Sequence, residues 1–188
     1  MPVIQITSNE LRPRGERIRK LLRPLARQPD GPAWQPKATQ YNYIIGTHDG
    51  SPTHSNHREW RFATFVPNLR ATYFELWRRV DEESWCLEQA YLNIFRTDLA
   101  THEESKFLSL HCDPNESDDA PHAIYKRGPH LHIQAADEPF PHAHIALTGG
   151  RLDDVLSSVD SLSEVIEWAV RMLKEEVMDA MILEPYAT

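Results

Sequence analysis

The spacing of apolar residues changes character twice along this chain. Near the N-terminus Ile18, Leu21, Leu22 and Leu25 recur at i, i+3, i+4 and i+7, which is one face of a helix. Arg14, Arg17, Arg19, Lys20, Arg23 and Arg27 cover most of the remaining helix surface. Pro24 has no backbone N–H to donate, so a kink is expected there. Residues 28–36 are rich in proline, with one glycine, and read as a linker.

From Thr39 to about Thr148 the period becomes two. Tyr41, Tyr43 and Ile45 alternate, as do Trp60, Phe62 and Thr64. Thr72 to Val80 and Ser84 to Thr97 are two longer runs, rich in aromatic and β-branched residues. They are joined by Asp81-Glu82-Glu83, so a hairpin is predicted. Lys106 to Cys112 predicts another strand, and the last two strands carry Pro129-His130-Leu131-His132-Ile133 and Pro141-His142-Ala143-His144-Ile145. Polar loops are expected at residues 48–52 and 113–120.

The period returns to 3.6 near the C-terminus. Leu162, Val165, Ile166, Ala169, Leu173, Val177 and Ala180 form an apolar stripe. Ser161 as N-cap, with Glu164 three residues on, reads as a capping box. Leu152, Val155, Leu156 and Val159 predict a short helix before it. Strands followed by helices define an α+β class. The expected architecture is an antiparallel sheet of five to seven strands, a C-terminal amphipathic helix and a basic N-terminal helical arm. The expected organisation is an arm and linker over residues 1–37 and one α+β domain over residues 38–188.

Charge sharpens that division. Residues 1–37 hold eight of the 20 Lys and Arg and three of the 28 Asp and Glu, a net of +5, which leaves −13 on the rest. A basic arm on an acidic body is a handle for RNA or for an acidic protein partner, or it docks on its own body. No apolar run reaches the roughly 18 residues that a membrane helix needs. The start resembles no signal peptide, so the expected location is cytoplasmic. Cys86 and Cys112 are too few and too far apart for a disulfide framework or a CxxC site.

Seven of the ten histidines fall between positions 102 and 144. Histidine titrates near neutral pH and ligates metals. On a strand, residues i and i+2 share a face, so His130 pairs with His132 and His142 with His144. If the two strands form a hairpin in which paired positions sum to an even number, all four histidines lie on one face. The intervening Leu131, Ile133, Ala143 and Ile145 prefer the core, which favours that register. Four clustered imidazoles can act as acid and base in phosphodiester cleavage, with Lys126 and Arg127 holding the phosphate. They can also bind zinc, iron, nickel or copper. They can equally be polar cross-strand pairs. His111, Cys112 and His122 are weaker candidates for the same site, and His48, His54 and His57 are expected to be solvated loop residues.

Ala120-Pro121-His122, then Pro129-His130-Leu131-His132, then an acidic turn and the closing amphipathic helix follow one another over about residues 85–182. This order resembles the TumE-type toxin family of toxin–antitoxin modules. The resemblance implies a toxin-like or defence-linked bacterial protein acting on RNA. The leading expectation is therefore a metal-free ribonuclease-like protein. His130, His132, His142 and His144 supply its acid–base chemistry, Lys126 and Arg127 hold phosphate, and Arg17, Lys20, Arg23 and Arg27 hold the substrate backbone. The alternatives are a metal-binding β protein, an oxygenase or metallohydrolase with the same four histidines as ligands, and a non-catalytic accessory subunit.

Overall fold

The computed structural model describes residues 4–25, 37–46, 60–66, 69–114, 130–133, 143–146 and 158–178. The elements in chain order are β1 (Gln5–Thr7), α1 (Ser8–Leu22), β2 (Lys37–Ala38), β3 (Asn42–Gly46), β4 (Trp60–Val66), β5 (Leu69–Arg79), β6 (Ser84–Thr97), β7 (Glu104–Cys112), β8 (His130–Ile133), β9 (Ala143–Ala146) and α2 (Val159–Met172). A 3-10 turn over Arg23–Leu25 follows α1 and a π turn over Leu173–Met178 follows α2. This is the α+β architecture that the change of period predicts.

The sheet is antiparallel at every described pairing, in the order β2-β3-β5-β6-β7-β8-β9. The long β5–β6 hairpin is its spine. β3 and β4 share one edge of β5, at Phe74–Arg78 and Leu69–Tyr73. β7 and β1 share the far edge of β6, at Ala90–Thr97 and Ser84–Cys86. The turn between β5 and β6 is the expected Asp81-Glu82-Glu83. Asp81 Oδ1 accepts from the N–H groups of Glu83 and Ser84, both at 2.8 Å, which satisfies backbone donors where the ladder ends.

One face of the sheet carries the helices. Tyr73, Glu75 and Trp77 of β5, Leu87, Ala90, Leu92 and Ile94 of β6, and Leu110 and Cys112 of β7 are all buried. They meet Leu11, Ile18 and Leu22 of α1 and Leu162, Ile166, Ala169 and Val170 of α2. Burying one such aliphatic side chain contributes about 1.5–3 kcal/mol. The stripe predicted from Ile18, Leu21, Leu22 and Leu25 is the face that packs, with Leu21 half-buried. α1 ends at Leu22, and Pro24 sits inside the short 3-10 turn that follows rather than kinking a longer helix.

The charge boundary at residue 37 is not a packing boundary. Ile4 and Ile6 are buried, β1 pairs with β6, and Leu11, Ile18, Leu22 and Leu25 join the common core. Arg14, counted in the sequence among residues covering the helix surface, is buried within that face, because Glu75 of β5 supplies its counter-charge. Residues 4–25 therefore pack on the body of the same chain.

The cap of α2 also lies one turn earlier than expected. Ser158 is the N-cap, and its Oγ accepts from the Ser161 N–H at 3.2 Å. Ser161 returns the bond by accepting from the Ser158 N–H at 3.1 Å. A serine at N3 thus takes the part that the sequence pattern assigns to glutamate. Ser158 as N-cap and Val159 as first residue begin α2; residues 152–157, where a short helix is predicted, lie outside the described residues, as do the loop at 48–52 and Ala180.

Candidate functional site

The face opposite the helices mixes polar and aromatic residues, and strand parity puts the histidines there. In the β8–β9 pairing His132 stands opposite His144, and His130 opposite Ala146. This is the even register. On the other side of β8, His130 pairs with His111 and His132 with Ser109. His130, His132, His144 and His111 therefore occupy one face of the sheet by register. His142, His122, His48, His54 and His57 lie outside the described residues.

Two cross-strand rows run along this face. The first holds Thr72, Asn93 and Ser109, all fully buried, and continues by register through positions 132 and 144. Ser109 Oγ donates to Asn93 Oδ1 at 2.8 Å, and Asn93 Nδ2 donates to Thr72 Oγ1 at 3.4 Å. Each buried polar group so finds a partner, as burial requires.

The second row is built from rings. Phe74 of β5 meets Tyr91 of β6 edge-on at 4.9 Å. Tyr91 stacks on His111 of β7 with centroids 3.9 Å apart and planes 12° apart. His111 meets His130 of β8 edge-on at 5.7 Å. Asp113, two residues beyond His111, falls on the same face and is buried. The Tyr91 hydroxyl donates to Asp113 Oδ1. His130 is closed to solvent, and His111 is half-buried.

His111, Asp113 and His130 converge. Each offers one ligand atom, and these atoms all lie within 4.8 Å of one another. Two metal–ligand bonds of about 2.1 Å at a tetrahedral angle hold their donors about 3.4 Å apart, so closure asks for movement on the order of 1 Å. Two imidazoles and a carboxylate are borderline ligands that suit a divalent transition metal. Three protein donors leave positions open for water or substrate.

The remaining predicted residues are placed as follows. Cys112, between His111 and Asp113, belongs to the opposite face and the helix-packed core. Burial first, and then the negative charges of Asp113 and Glu75, push its thiol well above the ordinary range. Parity sets it apart from the ligand atoms. Arg17 is on α1 and forms an ion pair with Asp160 of α2. Lys20 and Arg23 are exposed on α1 and its 3-10 turn, far along the chain from the histidine rows. Arg27, Lys126 and Arg127 lie outside the described residues. Asp113 was absent from the sequence-derived site. The signal for it was present, since His111-Cys112-Asp113 has the same i, i+2 spacing that singles out the His-x-His pairs.

Among the described residues no helix is long and apolar enough to cross a membrane. No family model matches the chain, and neither a curated protein nor a solved structure matches it.

Proposed function

We propose that this chain is a metal-dependent β protein whose centre is a divalent transition-metal ion (zinc, iron, nickel or copper) held by His111, Asp113 and His130. The convergence of three donor atoms within 4.8 Å supports this reading. It moves the ligand set of the metal alternative from the two His-x-His pairs to a set that shares only His130 with them. Open coordination positions give such an ion two uses: activating water for hydrolysis or binding dioxygen for oxidation. The polar row of Thr72, Asn93 and Ser109 lies beside it on the same face.

Metal analysis of protein purified without a polyhistidine tag tests the reading. The expected result is one transition-metal ion per chain, lost in Asp113→Ala and His111→Ala and kept in Cys112→Ala. A wild-type protein that carries no metal, and takes up none from added zinc or cobalt, would end it.

A second reading keeps the metal-free, RNA-directed phosphodiesterase implied by the toxin resemblance. The register that brings His111, His130, His132 and His144 to one face favours it. RNA cleavage that persists in chelator and disappears in His130→Ala would support this reading against the metal centre. The Arg17–Asp160 ion pair weighs against the arm as its RNA-binding surface.

A further inference from the structure

We infer that Tyr91 is a positioning residue that holds Asp113 to one-oxygen coordination and so fixes the number of open positions on the metal. This inference rests on the metal reading of His111, Asp113 and His130.

Tyr91 touches two of the three donors at once. Its ring lies flat on His111, at 3.9 Å and 12°, which opposes rotation of that imidazole about its own axis. Its hydroxyl donates to Asp113 Oδ1. A carboxylate free of such a bond can close both oxygens on one ion. Closing both oxygens on the ion would cost the phenol's bond to Oδ1, which favours coordination of Asp113 through Oδ2 alone. The ring is itself buttressed, because Phe74 stands edge-on to it at 4.9 Å from the far side. Phe74, Tyr91, His111 and His130 are consecutive cross-strand partners on β5, β6, β7 and β8, so the support is built into the ladder rather than into a loop.

Partners behind metal ligands of this kind fix ligand orientation, and losing one typically weakens metal binding by roughly 10- to 100-fold. A set of two nitrogens and a single oxygen also discriminates against calcium, which takes six to eight oxygen ligands. Tyr91 thereby becomes a determinant of metal choice as well as of geometry.

The test uses cobalt(II) as the probe, because its visible spectrum reports coordination number. Wild-type protein and Tyr91→Phe are titrated with cobalt(II), with circular dichroism confirming that both fold. Phenylalanine keeps the stacking surface and removes only the hydroxyl. The expected result is cobalt binding at least roughly 10-fold weaker in Tyr91→Phe. Its visible bands should also be weaker, as a second carboxylate oxygen joins the ion. A 100-fold molar excess of calcium should leave wild-type cobalt binding unchanged. Wild-type affinity together with a wild-type spectrum in Tyr91→Phe overturns the inference and leaves the metal site standing. No cobalt binding by the wild type overturns both.

Discussion

Arg14 of α1 and Glu75 of β5 form an ion pair at 2.5 Å in which both side chains are closed to solvent. Glu75 also accepts from the Tyr73 hydroxyl at 2.5 Å and from Trp77 Nε1 at 2.9 Å, and Arg14 donates to Ser163 Oγ of α2 at 2.5 Å. One buried cluster thus ties both helices to the central strand. Burial works to lower the basicity of Arg14, but the charge and hydrogen bonds of Glu75 outweigh it and hold the guanidinium above its ordinary value. Burial, and then the charge of Glu75, raise Tyr73 well above its ordinary value, so the phenol remains a donor.

Removing one partner of this pair leaves the other charged and buried. Arg14→Met is expected to cost about 3–5 kcal/mol in urea unfolding. Replacing both charges, in Arg14→Met with Glu75→Leu, should still destabilise, because Tyr73 and Trp77 lose their acceptor. A change below about 1 kcal/mol in Arg14→Met would show that the cluster does not hold the helices to the sheet.

The α2 cap discriminates between two serines and a glutamate. Ser158→Ala should cost about 0.5–2 kcal/mol. Glu164→Ala, which removes any side-chain acceptor at that position, should be nearly neutral, since Ser161 is the N3 residue of the box. Thermal unfolding of the two variants measures the difference, and equal effects would restore the cap to Ser161.

In the polar row, Asn93 bridges Thr72 and Ser109. Asn93→Ala strands Ser109, whose hydroxyl donates to it, and should cost about 1–3 kcal/mol in the same assay. The double change Asn93→Ala with Ser109→Ala should cost less than the sum of the two single changes, because each single change already breaks the same bond.

Acid should loosen the fold through its turns. Glu10 accepts from the Thr7 backbone and side chain, Asp81 from Glu83 and Ser84, and Asp98 from Thr101 and Ala100. Those bonds hold each carboxyl below its ordinary value, 4.5 for Glu10 and 3.8 for the two aspartates. A carboxyl depressed in the folded state contributes stability that is complete above its unfolded value and is lost as pH falls through its folded value. Stability should therefore decline from about pH 4 downward. The Asp81→Asn variant should show a shallower decline. An acid limb of unchanged slope in Asp81→Asn, Asp98→Asn and Glu10→Gln together would contradict this.

Thiol chemistry checks the two faces of β7. Cys86 and Cys112 form no disulfide and are buried, and burial raises the Cys112 thiol. A thiol reagent should modify neither in native protein at pH 7 and both after unfolding. Fast labelling of Cys112 would show that it is not held in the helix-packed core.

Strands β3 to β9 and their sidedness were readable in the sequence because period two is a local property, whereas β1 fell within the stretch read as arm and linker and β2 at its end. The β5–β6 hairpin, its acidic turn and the even parity of the β8–β9 register all follow from alternation. Long-range pairings were not readable. Arg14 looked like part of a solvated basic helix because its counter-charge comes from Glu75, 61 residues away. Asp113 looked like the start of a loop, and only the pairing of β7 with β8 brings it beside His130. The α2 cap was displaced because two serines satisfy a pattern usually read from serine and glutamate.

Along β7, Leu108, Leu110 and Cys112 contribute to the helix-packed core, whereas Ser109, His111 and, just beyond the strand, Asp113 face the other way. The two sets interleave in sequence and share no face. Substitutions at 109, 111 and 113 can therefore exchange one donor set for another while the core keeps its shape. The same framework can accept different chemistries by changing alternate letters of a single short segment.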